Sequence, residues 1–87
     1  MRVSVISSER SVFDGEAESV VAPAYDGLVG ILPRHAAFMT LLGEGVVRIR
    51  QSGTGEVTTR LLVKGGFLQV ASNVVRIVAR SARPADS

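Results

Sequence analysis

Turn-forming residues interrupt this chain at short intervals, and that spacing restricts the possible fold more than any other feature. The segments between the interruptions are rich in valine and isoleucine, and they are separated by turns or breaks at Ser8-Glu9, Asp14-Gly15, Tyr25-Asp26-Gly27, Gly43 to Gly45 and Ser72-Asn73. β-Branched residues suit a pleated sheet, whereas a helix needs about ten residues or more with an apolar period near 3.6. No segment keeps that period over such a length. The sequence therefore predicts an all-β domain built from short strands.

The predicted strands are short, and one of them is ambiguous. Residues 34–42 fit one helical turn or a buried strand about equally well, and we favour a strand because Gly43 and Gly45 end it. Lys64-Gly65-Gly66 predicts a break and Ser52 to Gly55 a loop. Strands at this spacing suggest a β-sandwich or barrel. The segments are 2–7, 10–13, 16–24, 28–32, 34–42, 46–51, 56–63, 67–71 and 74–79.

Length and composition indicate one globular domain with a thin core. The chain has 87 residues, of which 46% are hydrophobic and 21% charged, a composition that argues against disorder. We expect the domain to span residues 1–80 and residues 81–87 to form a polar C-terminal tail that frays. Cysteine is absent, which excludes a disulfide framework and a thiolate metal site.

Charge and hydropathy argue against three further features. The net charge is +2, and the basic residues are spread from Arg2 to Arg83 without forming a stripe, so nucleic-acid binding is not expected. Met1 to Ser11 lacks the apolar stretch of a signal peptide. No apolar run approaches the ~18 residues that would span a membrane.

The single histidine, His35, is the first candidate for chemistry. It is compatible with a general base or a metal ligand, but catalysis needs a nucleophile or an orienting carboxylate beside it, and a metal needs further ligands. A histidine that hydrogen-bonds a loop or an interface is the favoured interpretation.

Other candidates also favour a structural interpretation. Glu16 and Glu18 lie at i and i+2 on one predicted strand, where two carboxylates form either an acid/base pair or a solvated edge; the edge is favoured. Gly53-Thr54-Gly55 and Gly65-Gly66 lack the lysine and following helix of a phosphate-binding loop. Val29 and Ile31 are assigned to the core, while the position of Leu28 stays open between core and exposed binding patch.

Five segments in order resemble one family, the epsilon subunit of F-type rotary ATP synthases, called delta in mitochondria. The similarity extends over residues 2 to 82, nearly the whole chain. Its most specific part is Tyr25 to Ala36, where the acidic-Gly turn Asp26-Gly27 is followed by Gly30-Ile31-Leu32-Pro33 and then by His35-Ala36. The segments are Phe13 to Ala17, Tyr25 to Ala36, Glu44 to Ile49, Gly65 to Val70, and Val74 to Ala79 followed by Ser81-Ala82.

The resemblance implies an all-β fold, a flattened antiparallel β-sandwich or barrel of about ten short strands, here without a C-terminal helical hairpin. It also implies a non-catalytic central-stalk subunit that links the gamma subunit to the c-ring and couples ion translocation to ATP synthesis. It implies a gamma-facing side with Ser7, His35 and Thr40, and a c-ring-facing turn of Tyr25, Asp26, Gly27 and Leu28. It further implies no cofactor, and a peripheral position on the cytoplasmic face of a bacterial inner membrane, reached through the complex without insertion.

This chain departs from the family pattern at several positions. Arg34 replaces the usual glycine, Ala37 a common proline, and Leu28 a frequent acidic residue. Typical members continue into a C-terminal helical hairpin, and residues 80–87 offer no counterpart, so inhibition and nucleotide sensing are not expected of these residues.

Two other functions stay open: a free-standing small-ligand-binding β-barrel or sandwich, and an enzyme centred on His35. An extensive apolar face would favour the adaptor, and a closed pocket with convergent polar groups the ligand binder.

Overall fold

The computed structural model describes residues 1–51 and 59–85, most of which lie in strands. The strands are β1 Arg2–Ser7, β2 Arg10–Glu16, β3 Ser19–Ala24, β4 Gly27–Ile31, β5 Phe38–Leu41, β6 Glu44–Arg50, β7 Thr59–Ala71 and β8 Val74–Pro84. Their hydrogen-bonded order is β2-β1-β8-β7-β6-β3-β4, and β5 also pairs with β7. The all-β prediction is confirmed. Within the described ranges, no helix has the length and hydropathy needed to cross a membrane.

The hairpin of β7 and β8 bends at Gly65 and Gly66 and thereby joins two layers. Before the bend β7 pairs with β6, and after it with β5. Val63 is buried before the bend and Leu68 after it, so the inward-facing positions shift by one residue. Such a shift turns the opposite side of the strand toward the core, as when a strand passes between packed sheets. The first layer contains β2, β1, β5 and the residues of β7 and β8 nearest their connecting turn; the second contains β4, β3, β6 and the other ends of β7 and β8.

Two tight turns fix the register of the first layer. Ser8 and Glu9 have φ values of 49° and 64°, and Ser72 and Asn73 have values of 53° and 62°. Positive φ at both central residues defines a type I′ turn, whose twist matches that of paired strands. The turns predicted at these two places are therefore confirmed, and β7 and β8 leave theirs in antiparallel register.

The core between the layers consists entirely of aliphatic side chains. Its members come from all strands except β2 and β5, which contribute partly buried residues. Ile31 is buried and Val29 partly buried, as predicted, whereas Leu28 is exposed. The buried cluster is Val3, Val5, Ala17, Val20, Ala22, Ile31, Leu42, Val47, Ile49, Leu61, Val63, Leu68, Val70, Val75, Ile77 and Ala79.

The strand predictions differ from the structure in three places. Asp14-Gly15 does not form a turn; it lies within β2, where pairing with β1 outweighs the local turn preference. Among the described residues, the nine predicted segments become eight strands because β7 continues through the predicted break at Gly65-Gly66, whereas the resemblance implied about ten. β1 and β8 pair in parallel, although only antiparallel pairs were expected. A hairpin would require an antiparallel pair, but β1 and β8 are not joined by one.

The end of the chain also differs from the expectation of a tail beginning at residue 81. β8 continues to Pro84, and Ser81 to Pro84 pair with the beginning of β7. Ala82 packs against the core, which explains why this segment is held in place. Pro84 ends the strand at a sheet edge, where a missing N–H costs little. The predicted loop Ser52 to Gly55, the predicted start of a strand at Glu56 and the last two residues of the tail lie outside the described residues.

Candidate protein-interaction surface

An apolar row crosses the outside of the first layer. Ile6, Val78, Phe67 and Leu41 are successive register partners on β1, β8, β7 and β5. Directly opposite residues share one sheet face, and the adjacent positions Val5, Ile77 and Leu68 are buried, so the row faces outward. Leu41 is 61% exposed and Phe67 37%. With Met39, two residues before Leu41 on the same face and 64% exposed, these side chains form a continuous apolar surface, named here the apolar row.

The outward positions of β5 depart from the pattern of a solvent-facing strand. Such strands normally place apolar residues inward and polar residues outward. In β5, Met39 and Leu41 point outward, while Thr40 lies opposite the buried Leu68 and is half-buried. A strand that exposes its apolar side is typical of a surface covered by another molecule.

The three residues predicted for the gamma side border the apolar row without forming a cluster. Ser7 ends β1 next to Ile6 and is only 8% exposed. Thr40 lies between two members of the row and turns toward the interior. His35 is exposed in the loop that precedes β5, at the end of that strand farthest from Ser7. The row itself was not predicted, because its members come from four distant segments.

His35 makes local contacts that order its loop. Its backbone N–H donates to the carbonyl of Leu32 at 3.2 Å, and its Nδ1 lies 2.8 Å from the carbonyl oxygen of Ala36. The imidazole centroid is 5.0 Å from the ring of Phe38. Nowhere in the described ranges do three His, Asp or Glu side chains come together in a metal-binding group. These contacts give no support to a catalytic role for His35.

The residues predicted for the c-ring side form an exposed tip. Tyr25 and Asp26 make the turn between β3 and β4, and Tyr25 and Leu28 are 69% and 68% exposed. Gly27 has a φ of 134°, a conformation that favours glycine. The backbone N–H of Tyr25 donates to the carbonyl of Leu41 at 3.1 Å, so the tip is attached to one end of the apolar row.

Among the described residues, the remaining candidates do not assemble into an active site. Glu16 is paired with the N-terminal ammonium at 3.6 Å, and Glu18 follows outside β2, so the two are not an isolated acid/base pair. A depression of about 460 Å³ that includes Ser7, Arg10 and Arg83 is an open groove. Because aliphatic side chains fill the space between the layers, this part of the chain shows no enclosed ligand cavity.

Comparison with known proteins gives a consistent result. Residues 1–85 match the family model described as "ATP synthase, Delta/Epsilon chain, beta-sandwich domain". The chain is 40% identical over 82 residues to the ATP synthase epsilon chain of Chromobacterium violaceum, covering 94% of this chain and 58% of that one. It is 42% identical over 80 residues to the epsilon chain of Thioalkalivibrio sulfidiphilus, covering 92% and 56%. The chain thus spans a little more than half the length of these relatives.

Two solved assemblies contain chains with a similar fold. One is the Euglena gracilis mitochondrial ATP synthase, in its OSCP/F1/c-ring structure, with a TM-score of 0.85, 21% identity, and coverage of 94% of this chain and 51% of that chain. The other is the central stalk/c-ring structure of the Tetrahymena thermophila mitochondrial ATP synthase, with a TM-score of 0.76, 22% identity, and coverage of 97% and 66%. At these identities the comparisons establish a shared fold.

Proposed function

The chain belongs to the family of ATP synthase delta and epsilon chains through its β-sandwich domain, and we propose that it is a non-catalytic central-stalk subunit of a rotary ATP synthase. In this role it links the gamma subunit to the c-ring and couples ion translocation to ATP synthesis. It would lie on the cytoplasmic face of a bacterial inner membrane as a peripheral subunit. Chemistry would occur in other chains of the complex.

The apolar row is the observation that carries this proposal. A monomeric soluble domain seldom exposes a continuous apolar surface across four strands, and such a surface is typical of a permanent interface. The row and the Tyr25–Leu28 tip lie side by side, which suits an adaptor that touches two partners at once. The alternative of a free-standing ligand binder has no enclosed cavity among the described residues to support it.

We expect the chain to co-purify with the gamma subunit of the same ATP synthase when the two are co-expressed. Burial of the apolar row would provide part of the 1,200–2,000 Å² that is roughly typical of a stable complex. Size-exclusion chromatography with light scattering gives the stoichiometry, for which we expect one copy of each chain. Elution of the two folded chains as separate species would contradict the proposed function.

Cysteines at Tyr25 or Leu28 are expected to crosslink to cysteines in the polar loop of a c subunit in the assembled enzyme. Both side chains project from the turn tip, so a neighbour on that side would meet them first. Ser72→Cys is the matched control, because it is exposed in a turn at the opposite end of the first layer. Equal crosslinking from Ser72→Cys, or none from either tip position in a coupled enzyme, would count against this contact.

A further inference from the structure

The outside of the second layer gathers five basic residues. Arg48 and Arg50 come from β6, Arg60 and Lys64 from β7, and Arg83 from β8, and all five are exposed. They alternate with buried core positions on the first two strands, so their side chains leave the same face of the sheet. This set is named here the cationic face. In the sequence its members are dispersed, and strand pairing brings them together.

The cations of this face are unneutralised within the described ranges. The ion pairs found there join the N-terminal ammonium to Glu16 and Arg2 to Asp14, both in the first layer. The hydrogen bond from Arg2 to Asp14 raises the pKa of Arg2 above its usual value. Of the carboxylates in the described strands, Glu44 alone is in register with the cationic face, where it lies opposite Lys64.

Arg48 and Arg60 are direct register partners. Like charges directly opposite on one sheet face destabilise a strand pair, because their Cβ atoms lie only about 5 Å apart. Such an arrangement is favourable when an anion lies over both guanidinium groups. Each guanidinium presents several donors that match the oxygens of a phosphate group.

The face also has an apolar component. Val46 and Leu62 are register partners beside the two arginines, and both are half-buried. With Arg83 they line an open depression of about 350 Å³. The face therefore combines cations with exposed apolar surface, and its charges extend over three adjacent strands.

We propose that the cationic face binds anionic phospholipid headgroups at the membrane surface. Four of its five cations are arginines, which suit phosphate better than a point charge does. The face carries five cations over three strands and, in the described strands, one carboxylate in register with them, and this excess of positive charge fits the extended anionic layer of a membrane surface, to which each Lys or Arg adds attraction. The presence of a membrane near the domain rests on the proposed function, whereas headgroup binding is a property that the isolated domain would show.

The test is sedimentation of the purified domain with vesicles at an ionic strength of about 0.1 M. We expect binding to vesicles of equal parts phosphatidylglycerol and phosphatidylcholine, and none to phosphatidylcholine alone. The double variant Arg48→Gln/Arg60→Gln should weaken partition by about 30-fold, since each cation near an anionic leaflet contributes about one step of five-fold. The charge-matched control Arg34→Gln/Arg76→Gln removes exposed cations elsewhere and should change partition by less than about three-fold.

Arg60→Glu separates binding from folding. The substituted glutamate would lie directly opposite Arg48, so an attractive pair replaces a repulsive one. The midpoint of thermal unfolding should therefore rise while vesicle binding falls. Equal losses in the two double variants would overturn the proposal, as would absence of binding to anionic vesicles. Displacement by inorganic phosphate at matched ionic strength would indicate a free-phosphate site instead, and displacement by polyglutamate an acidic protein partner; either would overturn it. Co-purification with gamma is unaffected by these outcomes, so failure here is distinguishable from failure of the proposed function.

Discussion

Replacing Gly66 with alanine is expected to destabilise the domain by about 3 kcal/mol or more. Gly66 has a φ of 112°, which side chains of L-residues rarely adopt. A Cβ placed there would overlap the carbonyl oxygen of Val78 and lie 2.9 Å from the Cα of Ala79. Both obstacles are backbone atoms of β8, so relief requires the two strands to separate at the bend that joins the layers.

Chemical denaturation monitored by circular dichroism measures this loss. Gly30→Ala is the matched control, because Gly30 lies in β4 and a Cβ there would meet nothing within 4 Å. We expect that control to change stability by no more than about 0.5 kcal/mol, or to stabilise the strand slightly. Since small domains are stable by only roughly 5 kcal/mol or little more, the Gly66 variant should unfold at a much lower denaturant concentration than the unsubstituted chain. Similar midpoints for the two variants would show that the bend does not depend on Gly66.

The same bend marks the limit of what the sequence predicts about the fold. Most strand positions follow from alternation and turn chemistry, and the turns at Ser8-Glu9 and Ser72-Asn73 were predicted from local residues. Gly65-Gly66 is typical of a break, yet there the chain keeps its pairing and changes only which side faces the core. That outcome depends on the partners of β7, which lie far away in the sequence. For the same reason the extension of β8 to Pro84 was missed.

The candidate surfaces also differ in whether they form from one local segment or from residues far apart in the sequence. The turn at Tyr25-Asp26-Gly27 was predicted from local residues, whereas the c-ring-facing role of Tyr25 to Leu28 was implied by the family resemblance. The apolar row requires the register of four strands, and the one local signal, outward Met39 and Leu41 around Thr40, lies in a segment whose sequence fits a helical turn equally well. The cationic face similarly collects residues from three strands. The sequence alone shows these basic residues only as dispersed along the chain.

The apolar row also allows the gamma-facing side to be tested residue by residue. We expect Phe67→Ser to weaken the affinity for the gamma subunit by about 30-fold or more. Phe67 lies between Leu41 and Val78 in the row, and aromatic side chains near the centre of an interface commonly dominate its binding energy. Because Phe67 is already more than one-third exposed, its replacement should leave the fold intact, which thermal unfolding would verify.

Two control variants distinguish this row from the residues suggested by family resemblance. Leu32→Ser removes a side chain that is 63% exposed at the end of β4, outside the row, and should change affinity by less than about three-fold. His35→Ala should have an effect smaller than that of Phe67→Ser, about five-fold at most, because His35 lies in a loop at the border of the row. Isothermal titration calorimetry with purified gamma subunit measures all three. Contact through the outer sheet face requires Phe67 to be buried on binding. A larger loss of affinity from His35→Ala than from Phe67→Ser would therefore contradict it, and would indicate that gamma contacts the loop before β5 instead.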